Sequence, residues 1–226
     1  MGSVVIGVVK LHKKRTDAEK NPTVIKIDNE RYLTSGEIAM AKLVFKDSID
    51  YSKVKIIRGG ILGAPDLVGA AMTPAGHIHL PNQNYLNLKD FSSKEKTTAE
   101  DKHWFIHEMT HVWQYQMGAN IVWHWANQFC RGGYVSTIHT IDTPKNGDIK
   151  AYTTDISASD ANKKFNEFNF EQQGRILEFW YDACYLQHDN PQRSHHQRSL
   201  QLLGYAERIL REFLHNPKDK NLLPRI

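Results

Sequence analysis

Hydrophobic residues recur at helical spacing along much of this 226-residue chain. Residues three or four positions apart share one face of an α-helix, so such a pattern predicts a helix that buries one side. Two starts are marked by cap residues, because Thr34 stands three residues before Glu37 and Thr98 precedes two acidic residues. The pattern predicts helices over Thr34 to Phe45, Thr98 to Gly118, Asn120 to Gly132, Phe170 to Leu186 and Ser194 to Phe213.

Two of these helices have apolar faces that the pattern specifies residue by residue. In the first helix the predicted apolar positions are Ile38, Ala41, Leu43 and Val44. In the last helix the predicted buried residues are Leu200, Leu203, Ile209, Leu210 and Phe213. Each set repeats with the period of about 3.6 residues that defines an amphipathic helix. We therefore expect both helices to pack on a core through these residues.

Strand-forming residues fill shorter stretches between the helices. Val54 to Arg58 is rich in β-branched residues and ends at two glycines, and residues 76–80 end at Pro81. Proline has no amide proton to donate, so the second stretch suits the edge of a sheet. Weaker, strand-like or irregular patterns cover residues 24–32, 134–141 and 151–156. Together with the helices, these stretches predict one α+β domain over residues 1–226, with residues 1–30 as a loosely ordered N-terminal segment.

Composition and charge exclude several classes of protein. The chain is 40% hydrophobic and 24% charged, which is enough apolar material for a core and argues against intrinsic disorder. The formal charge is +4, but lysine and arginine form no dense block with aromatic residues, so we expect no nucleic-acid partner. No apolar run approaches the roughly 20 residues of a membrane span. Residues 4–9 are too short a run for a signal peptide.

The two cysteines, Cys130 and Cys184, do not have the spacing of a zinc finger. Two cysteines also cannot form the multiple cross-links of a disulfide-stabilised scaffold. Each lies in an apolar stretch that is predicted to be helical. We therefore expect two free thiols and not a disulfide.

The strongest chemical signal is the sequence His-Glu-Met-Thr-His at residues 107–111. His107 and His111 are four residues apart, so both imidazoles lie on one face of the predicted helix and can bind one Zn²⁺ ion. Glu108 follows the first histidine and can accept a proton from a metal-activated water. The pattern therefore predicts a catalytic zinc site with Glu108 as general base.

Catalytic zinc usually takes three protein ligands and keeps one position open for water. The metzincin pattern would put a histidine six residues after His111, but that position holds Met117, so this subclass is excluded. The third ligand is then expected to be a carboxylate from a later helix. Glu171 and Glu178 are seven residues apart and share a helix face, and the residue patterns alone do not decide between them. Asp182 is expected to orient a ligand histidine as a hydrogen-bond acceptor.

Other polar residues are candidates for supporting roles. A further hydrogen-bond donor would stabilise the oxyanion of the transition state. The candidates are Tyr152, Tyr181, His195, His196 and Tyr205, of which we retain the first three. We expect His103 to face water or to line the cleft, and His196 to be a capping or solvated residue. The strand at 76–80 is expected to run beside the metal helix, where an extended substrate could pair with a sheet edge.

Several blocks of the chain resemble one family. The chain is similar to the zincin-like metallopeptidases that bacteria encode beside, or fused to, Vgr and Rhs elements of type VI secretion. The resemblance rests on residues 33–39, 49–54, 71–78, 105–114 and 168–173, which together span roughly residues 30 to 180. The last block contains the Glu-Gln-Gln element at 171–173, followed by Gly174 where the family often has alanine. A glycine at this point of a helix would let another element approach closely.

The resemblance implies a fold, a ligand and a biological role. The implied fold is zincin-like, helix-rich with a small mixed sheet and an edge strand beside the active-site helix. The Glu-Gln-Gln element favours Glu171 over Glu178 as the third ligand, which gives a gluzincin-like site with one zinc ion.

The implied role is a zinc metallopeptidase that acts as an antibacterial or host-directed type VI effector. Such a protein is made in the bacterial cytoplasm without a signal peptide and is delivered into a target cell or its periplasm. Its expected partners are a protein or peptide substrate, an immunity protein and a component of the secretion apparatus. Alternatives are a peptidoglycan-cleaving amidase or endopeptidase, and a non-catalytic zinc-binding adaptor.

Overall fold

The structure, a computed structural model, describes residues 28–60, 71–120, 137–138, 148–149 and 151–225. The helices are α1 (Ser35–Phe45), α2 (Asn82–Asn87), α3 (Ala99–Gln116), α4 (Phe170–Tyr185) and α5 (Ser194–His215). The strands are β1 (Glu30–Tyr32), β2 (Lys55–Arg58), β3 (Ile78–Leu80), β4 (Thr137–Ile138) and β5 (Asp148–Ile149). Short 3-10 turns lie at Tyr51–Lys53, Phe165–Glu167 and Lys220–Leu222. The α+β class and the helix-rich composition are confirmed.

The helices begin where their cap residues predict. Thr34 accepts a hydrogen bond from the backbone N–H of Glu37, and the Glu37 carboxylate accepts one from the Thr34 N–H in return. Thr98 and Asp101 form the same reciprocal pair at the start of α3. Each pair satisfies two amide protons that have no partner inside the helix. Local sequence therefore fixes the first turn of α1 and of the helix that carries the histidine motif.

The three-stranded sheet is small and mixed, as expected. Strand β2 lies in the centre, antiparallel to β1 and parallel to β3. Strand β3 is the predicted edge strand and contacts α3, although it begins at Ile78 and not at residue 76. Its outer side is partly covered, because the backbone N–H and C=O of His79 both pair with Met72. An extended substrate therefore cannot pair with β3 at His79.

The core lies where α4 packs against α3 and α5, and buried residues of α1 and of the three-stranded sheet also belong to it. In α5 the buried face includes the predicted Ile209, Leu210 and Phe213, but Leu200 is 45% exposed and Leu202 is buried in its place. In α1 the predicted Leu43 is likewise 45% exposed. Both errors have one cause, because a helix face assigned from period alone can be rotated by one or two residues relative to the core it meets.

Some sequence predictions fail or lie beyond the described residues. Residues 151–156 form turns and irregular backbone instead of a strand. Within the stretch 134–141 the structure describes Thr137–Ile138, which pairs with β5. The predicted helix at 120–132 and nearly all of the N-terminal segment 1–30 lie outside the described residues. The single-domain assignment stays a prediction.

Two further expectations concern the cysteines and the membrane. Cys184 is a half-buried free thiol, whereas Cys130 lies outside the described residues. Among the residues that the structure describes, no helix is long and apolar enough to cross a lipid bilayer.

Candidate metal centre

The histidines of α3 face the acidic residues of α4 across an antiparallel helix pair. His103 contacts Asp182, His107 contacts Glu178, and His111 contacts Glu171. Because the two helices are antiparallel, successive turns of α3 contact successive turns of α4 in reverse order. This arrangement buries four imidazole–carboxylate contacts in the core, because His107 also contacts Glu171.

Three of these side chains, the trio His107, His111 and Glu171, converge on one point. His107 Nε2 lies 3.2 Å from His111 Nε2 and 2.9 Å from Glu171 Oε2, and the distance from His111 Nε2 to Glu171 Oε2 is 3.2 Å. All three residues are buried. A tetrahedron with zinc–ligand distances of about 2.0 Å has edges of about 3.3 Å, so the three atoms fit one face of a zinc site. The donor set, two imidazoles and a carboxylate, also suits zinc.

Glu178 lies on the other side of His107. Its Oε1 accepts a hydrogen bond from His107 Nδ1 at 2.7 Å, so the carboxylate holds the imidazole with Nε2 directed at Glu171. We expected Asp182 to orient a ligand histidine, and this expectation is wrong, because Asp182 binds His103 instead. The geometry therefore gives Glu171 the position of a ligand and Glu178 the position of an orienting acceptor. The ligand assignment itself stays a prediction.

The His107 ring lies directly on Gly174. A Cβ atom at this glycine would be 2.7 Å from both Cε1 and Nδ1 of His107, closer than real Cβ contacts allow. The sequence predicted that some element would approach α4 here, and that element is the imidazole itself. Gly174 therefore sets how deeply His107 sits between α3 and α4.

Neighbouring charges and hydrogen bonds raise the pKa of His107 and lower the pKa of Glu171, in each case against the effect of burial. Burial alone would lower the pKa of His107, but hydrogen bonds and charge from Glu171 and Glu178 together raise it well above its ordinary value. Burial alone would raise the pKa of Glu171, but His111 and His107 hold it well below its ordinary value. The carboxylate is therefore ionised at neutral pH, which is the form that binds a cation.

Glu108 sits beside the trio with one oxygen already engaged. The side chain is 5% exposed, and its Oε2 accepts a hydrogen bond of 2.6 Å from the buried hydroxyl of Thr73. Thr73 is 35 residues away in sequence and reaches α3 from the segment before β3. No motif of its own marks Thr73 in the sequence, although it lies inside the 71–78 block that carries the family resemblance.

The three candidate donors occupy three different environments. The ring of Tyr152 lies 5.6 Å from that of His107, centroid to centroid. The backbone carbonyls on either side of Tyr152 are held by α4, since Asn169 donates to Ala151 at 3.0 Å and Gln172 donates to Thr153 at 2.6 Å. Tyr152 is thus fixed against the trio by the first turn of α4.

Tyr181 and His195 are not placed against the trio by their described contacts. The Tyr181 ring is buried beside Tyr185 at 5.4 Å, and burial raises the pKa of its hydroxyl. His195 stacks on His103 with ring centroids 4.2 Å apart. Burial lowers the pKa of His195 to about 4, and the charge of His103 acts in the same direction.

Asp182 is the centre of a second polar cluster. It accepts hydrogen bonds from His103, from His196 and, at 2.8 Å, from Arg193 Nη1. His103 does not face water and His196 is not solvated, because both are buried. Burial would raise the pKa of Asp182, but His103 and Arg193 hold it far below its ordinary value.

This second cluster is a poor metal site although its donors are close. Ligand atoms of His103, Asp182 and His195 lie within 4.8 Å of one another. However, the two imidazoles are stacked with an angle of 29° between their planes, so their in-plane lone pairs do not point at one centre. Arg193 also neutralises the carboxylate. The cluster therefore joins α3, α4 and α5 as an ionic and hydrogen-bonded hub.

Comparison with known proteins relates this chain to a protein of type VI secretion. The type VI secretion system spike protein VgrG2b of Pseudomonas aeruginosa is 33% identical over 153 residues. The solved effector domain of P. aeruginosa VgrG2b superposes with a TM-score of 0.51 at 27% identity, covering 78% of this chain and 83% of that domain. Over most of its length, this chain is similar to the VgrG2b effector domain. The resemblance to Vgr-associated type VI effectors is thereby confirmed, while its zincin-like part stays a prediction.

The match to VgrG2b has a limited extent. It covers 67% of this chain but 13% of the spike protein, so the chain corresponds to a small part of that relative. No protein-family model matches the chain. The activity and partners of the whole spike protein therefore do not transfer to this chain as facts.

Proposed function

We propose that this chain is a type VI secretion effector that hydrolyses peptide bonds with one zinc ion. The observation that carries the enzymatic part is the convergence of His107 Nε2, His111 Nε2 and Glu171 Oε2 within 3.2 Å of one another. The residue after His107 on the same helix is Glu108, whose carboxylate accepts a hydrogen bond from Thr73. This combination provides three metal ligands and a separate base, as hydrolytic zinc sites require.

The residues of the chain would divide the chemistry between them. His107, His111 and Glu171 would hold a zinc ion, which would supply Lewis acidity toward water and the substrate carbonyl. Glu108 accepts a proton from the attacking water and returns it to the leaving amine. Tyr152, which lies beside His107, is the best placed of the candidate donors for the oxyanion.

The effector part of the proposal rests on homology to the VgrG2b effector domain. We infer that the protein is made in a bacterial cytoplasm and delivered by the type VI apparatus into a target cell or its periplasm. Partners that follow from this role are a component of the secretion spike, a protein or peptide substrate and a cognate immunity protein.

The test compares the wild type with Glu108→Gln, which keeps the shape of the side chain and removes the base. We expect about one zinc per chain in both proteins, measured by mass spectrometry of the metal. Growth inhibition by the wild type in the periplasm of a sensitive bacterium should disappear in the variant. If the protein binds zinc but Glu108→Gln inhibits growth as strongly as the wild type, catalysis by Glu108 is contradicted. That result would favour the zinc-binding adaptor.

A second measurement distinguishes between the bonds that the enzyme could cleave, in the cell wall or in proteins. Digestion of purified cell walls, analysed by mass spectrometry, would reveal a peptidoglycan amidase or endopeptidase. Release of new N-termini from a protein extract, absent with Glu108→Gln, is the result that the proposal expects. Cleavage confined to the cell wall would replace the protein substrate while keeping the metal centre.

A further inference from the structure

The two histidines of the metal centre are oriented by acceptors of different kinds. His107 Nδ1 faces the carboxylate of Glu178, which can only accept a hydrogen bond when ionised. His111 Nδ1 lies 2.8 Å from Oε1 of Gln114, which belongs to an amide. An amide has an accepting end and a donating end, so the wrong end would stabilise the wrong imidazole tautomer. Something must therefore fix which end of Gln114 faces His111.

Backbone carbonyls fix the orientation of a second glutamine. Gln173 Nε2 lies 2.9 Å from the carbonyl oxygen of Phe165 and 2.9 Å from that of Leu222. Carbonyl oxygens only accept, so the end of the amide between them must be the NH₂ group, and both of its protons are used. The oxygen of Gln173 is thereby turned toward Gln114.

The orientation passes from one amide to the next. Gln114 Nε2 donates to Gln173 Oε1 at 2.9 Å and to the Phe170 carbonyl at 3.1 Å. Both protons of this NH₂ group are again used, so Gln114 Oε1 must face His111 and accept from Nδ1–H. Both glutamines are fully buried, where an unpaired amide would cost about 1–3 kcal/mol.

We propose that Gln114 and Gln173 form an amide relay that holds His111 in the tautomer whose bare Nε2 can bind metal. The relay starts at two backbone carbonyls, one in the 3-10 turn at Phe165–Glu167 and one in the C-terminal turn at Lys220–Leu222. The two turns are tied together, because Asn166 Nδ2 donates to the Asn221 carbonyl at 2.7 Å. The last turn of the chain is therefore part of the machinery that positions a metal ligand.

The relay also assigns a role to every residue of the Glu-Gln-Gln element. Glu171 faces the imidazoles, and Gln172 caps α4 by exchanging hydrogen bonds with Asn169. Gln173 directs the relay through its contact with Gln114. The inference rests on the proposed zinc function, but it concerns metal affinity and can be tested without a substrate.

The test measures zinc affinity of the full chain by competition with a coloured chelator. Gln173→Met removes the first amide and leaves Gln114 free to turn, although residue 173 does not touch His111. We expect zinc affinity to fall about tenfold, as is usual when a partner of a ligand histidine is lost. Gln114→Met should lower it by at least as much. The double variant should be no weaker than the worse single variant, because both changes interrupt one relay.

Trp113→Phe is the matched control. Trp113 Nε1 donates to the Pro217 carbonyl at 2.7 Å, so this change loosens the same C-terminal segment without touching either amide. It should lower the melting temperature but reduce zinc affinity much less than Gln173→Met does. Equal losses of affinity in Trp113→Phe and Gln173→Met would overturn the relay, since general loosening would then explain both.

A second measurement does not depend on variants that fold. Long-range ¹H–¹⁵N correlation spectra of the zinc-loaded wild type report which nitrogen of His111 carries the proton. A protonated Nδ1 is expected, and metal on Nδ1 would overturn the relay. If the wild type binds no zinc at all, the proposed function fails; if it binds zinc and Gln173→Met binds it equally well, only the relay fails.

Discussion

At the scale of single residues, the position of Gly174 is tightly constrained by a side chain of the candidate metal centre. The His107 ring occupies the space that a Cβ atom would take, at 2.7 Å. An alanine there would favour the helix by about 1 kcal/mol but would push the imidazole away from Glu171. Helix stability therefore favours alanine at this position, whereas the observed position of the His107 ring requires glycine.

Gly174→Ala should accordingly weaken zinc binding by about tenfold or more, since His107 must move by several tenths of an ångström. Gly204→Ala in α5 is the control, because no atom lies within 4 Å of the added Cβ. It should raise stability by about 0.5–1 kcal/mol in chemical denaturation and keep zinc affinity constant. Unchanged zinc affinity in Gly174→Ala would mean that the ring is not held against this glycine.

Thr73 acts on Glu108 through a single hydrogen bond. Its hydroxyl donates to Oε2. In the proposed mechanism, Oε1 would then be the oxygen that meets the attacking water. Loss of a hydrogen bond to a charged group costs about 1.5–3 kcal/mol, so Thr73→Val should reduce turnover about ten- to a hundredfold. Thr73→Ser keeps the hydroxyl and should retain most of the activity. Zinc affinity, measured in parallel, should be the same in all three proteins; a normal rate in Thr73→Val would remove this role.

At the scale of secondary-structure elements, Asp182 joins three helices at one carboxylate. It lies on α4 and receives His103 from α3 together with Arg193 and His196 from the start of α5. All of these contacts are buried or nearly so. The hub therefore supports the packing on both sides of α4, the helix that carries Glu171.

Asp182→Asn should destabilise the protein by about 3 kcal/mol at pH 7, because Arg193 would lose its buried partner. The pKa of Asp182 is lowered on folding, so its stabilisation is complete above its unfolded value near 4 and declines as the pH falls below it. The difference between wild type and variant should therefore shrink between about pH 4 and pH 2. Urea denaturation across this range measures it; a difference that stays constant would contradict the ionised hub.

The strands illustrate how tertiary contacts alter an element's role. The edge position of β3 follows from Pro81 at its end, but its outer backbone is paired with Met72. The segment that includes Met72 also brings Thr73 to Glu108. The segment that covers this edge strand thus also supports Glu108, the proposed base.

At the scale of the whole molecule, a metal ion would connect the two central helices. Zinc that binds the folded state alone at a thousandfold excess over its dissociation constant stabilises by about 4 kcal/mol. Removing it with a chelator should lower the melting temperature by roughly 10 °C, and added zinc should restore it. His111→Ala should show no such response. Equal melting temperatures with and without chelator in the wild type would contradict the metal centre.

The sequence by itself determined the features that depend on near neighbours. Caps at Thr34 and Thr98 lie three residues from their partners, and the two motif histidines are one helical turn apart, so local geometry suffices to place them. The α+β class and the edge position of β3 followed for the same reason. The exact buried face of a helix could not be determined in this way, because the hydrophobic period does not fix how the helix is rotated against the core. Leu43 and Leu200, which were predicted to be buried, are exposed.

Only the tertiary structure decided which distant residues meet. The patterns left Glu171 and Glu178 equivalent on one helix face, and the antiparallel packing of α3 on α4 separated them into a position facing both imidazoles and a position behind one. Thr73 and the carbonyl of Leu222 carry no motif of their own. Their importance arises from contact with α3 and α4, and contacts across dozens of residues are set by the whole packed core.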